Sequence, residues 1–332
     1  MDYKIVVEQV DYERFCEEVK ERIRDFLPDR NIESVTLNTQ VKNNGSKKVG
    51  IVIKEIGQNI SPTIYLEPYF ERFSDGEEME SLLRDISDTY EAAAVEHQEF
   101  GNIAQDFLDF EKMKNKLVVQ VVNTEYNEEL LERTPHKELM DLSLIYKVVL
   151  GNQPGGLATI RVENSHLRQW GVTIDELNEI AIKNTYRLLP PKVQPMNEIL
   201  KEMMAKDGMS EEMIYLMFQD VPEDQLMWVI SNESNMSGAY YMTDNKIMDE
   251  LAEKFHSDVV VLPSSIHECI AISAGMGPIE DLKAMVKEVN STQVAREEQL
   301  SDNVYIYNAE AHQLQTEEEY TQSKNAAYVN SR

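Results

Sequence analysis

The chain has 332 residues and a mass of 38.3 kDa, room for two folding units, and its 42% hydrophobic and 28% charged residues exclude collagen-like, fully disordered and membrane-spanning classes. Sixty acidic side chains against thirty-two basic ones leave a formal charge of −28, which repels phosphate backbones and anionic membranes. Direct binding to duplex nucleic acid is therefore not expected.

The N-terminal residues are acidic where a secretory leader is basic, and the purely apolar runs stop at four or five residues, far short of the roughly 20 that a spanning helix needs. Cys16 and Cys269 are the only cysteines and stand far apart. This reads as a cytoplasmic chain with free thiols and no membrane contact.

The first predicted element is a helix over 11–27, where Phe15, Val19, Ile23 and Leu27 recur every four residues until Pro28 stops it. Two β-branched stretches, 34–41 and 49–56, flank Asn43, Asn44, Gly45 and Ser46 and predict a hairpin. A short strand over 63–66 precedes a helix over 76–99, with Met79, Leu82, Leu83, Ile86 and Tyr90 in helical spacing, and a second helical stretch over 102–113. Residues 67–111 hold fourteen acids and two bases, the most acidic long stretch of the chain. Such a run ordinarily forms a solvated helix face; the sharper reading is a surface for a basic partner.

Strands are expected over 116–123 and 141–150, with a short helix over 128–133 between them, and the run Gly151 to Gly156 turns the chain into a strand over 157–162. Thr173 and Glu176 form a capping box that opens a helix carrying Leu177, Ile180, Ala181 and Leu188, ended by Pro190 and Pro191. The proline-dense stretch 190–195 reads as a semi-rigid connector, and Pro195 opens a helix over 196–206. Met203, Met204, Met209, Met213 and Met217 are expected chiefly in a core, with an adaptable binding surface as the alternative. Then follow a strand over 226–231, a helix over 244–255, strands over 259–262 and 267–272, a helix over 279–289 and a strand over 303–307. Beyond 315 no apolar period is sustained, which predicts a mobile tail.

Strands thus come as hairpins with helices grouped between them, which predicts an α+β fold with antiparallel sheets. The expected organisation is an N-terminal α+β domain over 1–190, a C-terminal α+β domain over 191–314 and a flexible acidic and polar tail over 315–332.

Three stretches, GGLATIRVENSHLRQWGVTIDELNEIAIKNTYRLLP, MWVISNESNMSGAYYMTDNKIMDELAEKFHSDVVVLPSSIHECIAI and LKAMVKEVNSTQVAREEQLSDNVYIYN, together resemble an uncharacterised family, a domain of unknown function common in clostridial gut bacteria. The likeness extends to the N-terminal helix and to the SVTLNTQVKNNG…IYLEPYFERF region. It implies a bacterial, cytoplasmic protein and brings neither an activity nor a site residue with it.

No Gly-x4-Gly-Lys-Ser/Thr loop occurs, Gly275-Met276-Gly277-Pro278 lacks the third glycine of a dinucleotide loop, and the six histidines and two cysteines show no metal-ligand spacing. No cofactor or metal is expected. The one local constellation is His267-Glu268-Cys269, where alternation along a strand points His267 and Cys269 the same way, a base beside a thiol. Against it stands the simpler expectation of a buried cysteine and a hydrogen-bonded histidine. The leading functional expectation is a non-catalytic binding or regulatory protein with an acidic interaction face and a protein partner bearing a basic surface. Two rivals are an enzyme using Cys269 and His267, and an acidic nucleic-acid mimic from a mobile element.

Overall fold

The computed structural model describes residues 3–57, 61–99, 103–153, 156–218 and 221–330. Pro154 and Gly155 of the second expected turn, and Gly101 and Asn102 at the start of the second acidic helix, lie outside these residues. The chain divides into two compact units, Met1–Asp109 and Phe110–Arg332.

The first unit opens with helix α1 (Tyr3–Arg22), prolonged by a tighter turn over Ile23–Phe26. Phe15, Val19, Ile23 and Leu27 are all buried, as the four-residue spacing requires. Strands β1 (Ile32–Val41) and β2 (Lys47–Glu55) form the expected antiparallel hairpin, with Leu37 opposite Ile51. Its turn places Asn44 and Gly45 at φ 57° and 67°, a left-handed conformation that these two residue types tolerate. Strand β3 (Thr63–Tyr65) pairs with β2, and helices α2 (Glu67–Ser74), α3 (Met79–Glu99) and α4 (Ile103–Asp106) follow. Leu82, Leu83, Ile86 and Tyr90 of α3 join Phe15, Val19, Ile51 and Ile53 in one core cluster. Alternation along β2 turns Glu55 inward after Ile51 and Ile53. Its carboxylate is satisfied there, accepting from the Tyr90 hydroxyl at 2.8 Å and from Arg30 Nη1 at 3.3 Å.

The second unit begins with α5 (Phe110–Met113), β4 (Leu117–Asn123), α6 (Glu128–Arg133), β5 (His136–Leu139), β6 (Leu142–Gln153) and β7 (Gly156–Arg161). β6 pairs with β4 along one side and with β5 and β7 along the other, all antiparallel. After α7 (Asn164–Trp170) comes α8 (Ile174–Leu188), whose capping box is present: Glu176 Oε2 accepts the Thr173 N–H at 2.9 Å and Thr173 Oγ1 accepts the Glu176 N–H at 3.3 Å. Thr185 of α8 accepts the Val119 N–H at 2.9 Å, so the helix satisfies the open edge of β4.

The remaining elements are β8 (Pro191–Pro195), α9 (Met196–Lys206), α10 (Glu211–Met217), β9 (Trp228–Asn232), α11 (Asn245–Phe255), β10 (Val259–Leu262), β11 (Cys269–Ser273), α12 (Ile279–Gln293), β12 (Tyr305–Asn308), β13 (Gln313–Thr316) and α13 (Glu317–Asn330). Their strands form a six-stranded antiparallel sheet in the order β13-β12-β10-β11-β9-β8. The two sheets of this unit are pinned together by Asp141, which accepts from Ser301 Oγ at 3.2 Å, Asn303 Nδ2 at 2.9 Å and the Tyr305 hydroxyl at 2.9 Å. The α+β architecture with antiparallel sheets is as expected. No helix among the described residues is long and apolar enough to cross a membrane.

Two expectations about organisation are corrected. The proline-dense stretch 190–195 is not a boundary between domains but contains β8, an edge strand paired with β9 and framed by Pro191 and Pro195; at an edge, a proline forfeits no ladder bond to a second neighbour. The chain instead divides between residues 109 and 110. Residues 315–332 are not a free tail through most of their length: β13 pairs with β12, and Tyr320 of α13 packs on Val260 and Ile306. The Tyr320 hydroxyl donates to Asp258 Oδ2 at 2.6 Å, and Lys324 Nζ meets the same oxygen at 2.9 Å. One aromatic and one half-buried carboxylate hold a helix whose own apolar pattern is weak.

Candidate functional site

Cys269 and His267 both face the buried segment that follows β9, but they do not form a pair. The Cys269 thiol is fully buried against the Ala239 carbonyl at 3.9 Å and Met242 Sδ at 3.7 Å, and burial pushes its pKa up, away from the reactive thiolate. His267 precedes β11, and its Nδ1 accepts the Ser237 N–H at 3.1 Å. The neutral ring therefore carries its proton on Nε2, which lies 3.9 Å from Glu298. Burial lowers the His267 pKa, opposed by Glu298 and assisted by the charge of Lys147. The chain is compressed here: a side chain on Gly238 would meet the His267 carbonyl oxygen at 2.5 Å and Ser231 Oγ at 2.6 Å, so only glycine fits. Ser265, next to these groups, is occupied in accepting the His267 N–H at 3.0 Å.

Within residues 67–111, several carboxylates are answered inside their own unit. Glu67 Oε1 accepts from the Tyr12 hydroxyl at 2.7 Å and from the Val49 N–H at 2.6 Å. Arg72 bonds Glu77 at 2.7 Å and Asp85 at 2.6 Å. Arg30 holds Glu91 and Arg22 reaches Glu80 at 3.6 Å. The Arg30 hydrogen bonds hold the Glu91 carboxyl below its ordinary range. These charges tie helices to sheet.

The helices α9 and α10 differ in leaving large apolar side chains exposed. They pack against each other, and Ile214 is their one buried residue among those described. Ser210 caps α10 through the Met213 N–H at 3.4 Å, and Leu200 and Met203 on α9 and Met213, Leu216 and Met217 on α10 fall at helical three- and four-residue spacings. All are exposed, from 37% at Leu200 through 55% at Met203 to 69% at Leu216, and Tyr215 stands beside them at 67%. Covering such side chains is worth about 1.5–3 kcal/mol each, so this face is large enough in energy to matter. The same stretch carries Glu198, Glu202, Asp207, Glu211, Glu212, Glu223 and Asp224 against Lys201 and Lys206, with Glu198 held by Lys201 at 2.8 Å and Glu223 by Lys254 at 2.7 Å. At its foot, Trp228 Nε1 and Asn197 Oδ1 are buried with no hydrogen-bond partner among the described residues. The core expected for most of these methionines is not where Met203, Met213 and Met217 lie. The signal that separates the alternatives is that 211–217 carries apolar residues at five of seven positions, too many for a short helix to bury on one side.

A cleft of about 680 Å³ is lined by Asp249, Glu253, His256, Asp258 and His312 among others; three of these groups are engaged, since His312 Nδ1 and Asp249 Oδ1 lie 2.8 Å apart and Asp258 holds α13. No group of three or more His, Cys, Asp or Glu side chains is placed to hold a metal among the described residues.

Fold and site together define a two-unit α+β protein with an acid-rimmed apolar face. The chain belongs to a family of unknown function, DUF5688, whose profile matches residues 12–309. Comparison with curated proteins and with solved structures gives no match.

Proposed function

We propose that the chain is a non-catalytic, cytoplasmic binding protein that receives a basic amphipathic helix of a protein partner on the α9–α10 face. The observation that carries this reading is the exposure of Leu200, Met203, Met213, Leu216 and Met217 on two neighbouring helices. Methionine is flexible and polarisable, so such a face adapts to the side chains laid on it. The surrounding acids favour a cationic occupant and steer its approach. The same charge disfavours a second copy of this chain, which would bring two acidic rims together, and it disfavours duplex nucleic acid. Two buried free thiols suit a reducing compartment.

The enzyme reading draws no support from a Cys269 thiol closed off from solvent, nor the mimic reading from carboxylates held by Arg22, Arg30 and Arg72. The test is fluorescence anisotropy of a labelled lysine–leucine amphipathic peptide titrated with the full chain. Binding should weaken with salt and vanish in the double variant Leu216→Asp, Met217→Asp, even though that variant adds negative charge. Equal binding by the double variant, or of a glutamate–leucine peptide, contradicts the proposal.

A further inference from the structure

We propose that one face of the sheet formed by β4, β6, β5 and β7 binds a small oxyanion, a phosphate or carboxylate group carried on a small molecule, with Arg161 as its principal ligand. The observation is independent of the α9–α10 face. Lys147 of β6 stands directly opposite Val118 on β4 and Arg161 on β7; two residues along β6, Ile145 stands opposite Gln120 and His136. Alternation places these side chains on one face, with neighbours across strands about 5 Å apart and along a strand about 7 Å apart.

Along this side of β6, β7 and β5 follow one another end to end and leave a break between them. The chain departs from β7 at Val162, whose N–H donates to the Tyr146 carbonyl at 2.9 Å, and it joins β5 from Thr134. Arg161 stands at this break. It is half-buried, no hydrogen bond or ion pair reaches it among the described residues, and its Nε is buried with no partner. Burial lowers its proton affinity, with Glu163 acting against that and Arg133 adding to it. Thr134, 1% exposed, has an unpartnered Oγ1, and Gln120, 2% exposed on the same face as Arg161, has an unpartnered Oε1.

A half-buried guanidinium whose Nε finds no hydrogen-bond acceptor is unfavourable. Glu163 supports its charge from a distance but no carboxylate bonds it among the described residues. An oxyanion from outside satisfies the site: the guanidinium fork offers two parallel donors, the positive charge of Arg133 acts at the same place, and the Thr134 hydroxyl supplies a neutral donor. Arginine rather than lysine at the end of this row suits planar, two-pronged recognition of such a group.

Isothermal titration of the full chain with inorganic phosphate, and separately with succinate, at constant ionic strength set by chloride tests this. Saturable binding of either anion is expected, and which one binds tells the phosphate source from the carboxylate source. Arg161→Gln should weaken it at least tenfold while melting no lower than wild type in chloride, because that substitution orphans no internal partner. Thr134→Val, which preserves shape, should weaken it several-fold and decides the matter should Arg161→Gln fail to fold. Absence of saturable binding by both anions, unchanged affinity in either folded variant, or a folded Arg161→Gln that melts well below wild type in chloride overturns the proposal.

Discussion

Two acidic helical pairs, α2–α3 in the first unit and α9–α10 in the second, have similar compositions and opposite fates. On α3, Leu82, Leu83, Ile86 and Tyr90 are fully buried, while Glu80, Asp85 and Glu91 meet Arg22, Arg72 and Arg30. On α9–α10, only Ile214 is buried among the described residues, and Leu200, Met203, Met213, Leu216 and Met217 face solvent. Charge density alone therefore does not mark an interaction surface. What separates the two is whether the arginines and the apolar stripe are already used within the unit.

Truncation inside the first pair should have the largest effect. Tyr90→Ala removes a fully buried ring and the hydroxyl bond to Glu55, and should cost about 3–5 kcal/mol in a denaturant titration followed on the first unit. Arg30→Ala comes next, since it leaves Glu55 mostly buried with one partner fewer; a loss of about 1.5–3 kcal/mol is expected. Tyr320→Phe, which removes one of the bonds to Asp258, should cost about 1–2 kcal/mol and expose α13 to protease. Leu216→Ala on α10 should change stability by less than about 0.5 kcal/mol. A cost at Leu216 like that at Tyr90 would erase the contrast between the two pairs.

The anchoring of α13 adds a pH dependence. Burial opposes the charge on Asp258, but the Tyr320 hydroxyl, the Lys324 ammonium and the Ala309 N–H outweigh it and hold the carboxyl below its ordinary value. A carboxyl that titrates lower in the folded state contributes stability above its unfolded value of about 4 and loses that contribution as the pH falls through the lower, folded value. Proteolytic protection of α13 should therefore be full at neutral pH and decline in acid, and Asp258→Asn should flatten this profile. Protection that is unchanged by that substitution contradicts the role given to Asp258.

Much of this was legible in the residues. The stripe from Phe15 to Leu27, the hairpin around Asn44 and Gly45, and the Thr173–Glu176 capping box are local signals, and each is found where its spacing puts it. The misread segments depend on distant partners. Residues 190–195 look like a linker until β9 is beside them, and 313–330 look unstructured until β12, Asp258 and the Val260–Ile306 cluster supply what α13 lacks. The His267–Cys269 alternation was readable, whereas the closure of the thiol under Ala239 and Met242 depends on a segment thirty residues earlier in the chain. Arg161 carries no local motif; its isolation emerges only from the pairing of β6 with β7.

On the proposed reading a cationic helix is received by α9–α10 and not by α2–α3. Methionine side chains report on it directly, because Met203, Met213 and Met217 lie exposed on this face while Met242 and Met248 are buried in the same unit. Methyl spectra of protein labelled at methionine, recorded during titration with the lysine–leucine peptide, should show the first three resonances shifting together and saturably, with the two buried ones nearly still. Resonances of Met203, Met213 and Met217 that stay in place while the peptide binds would contradict the account.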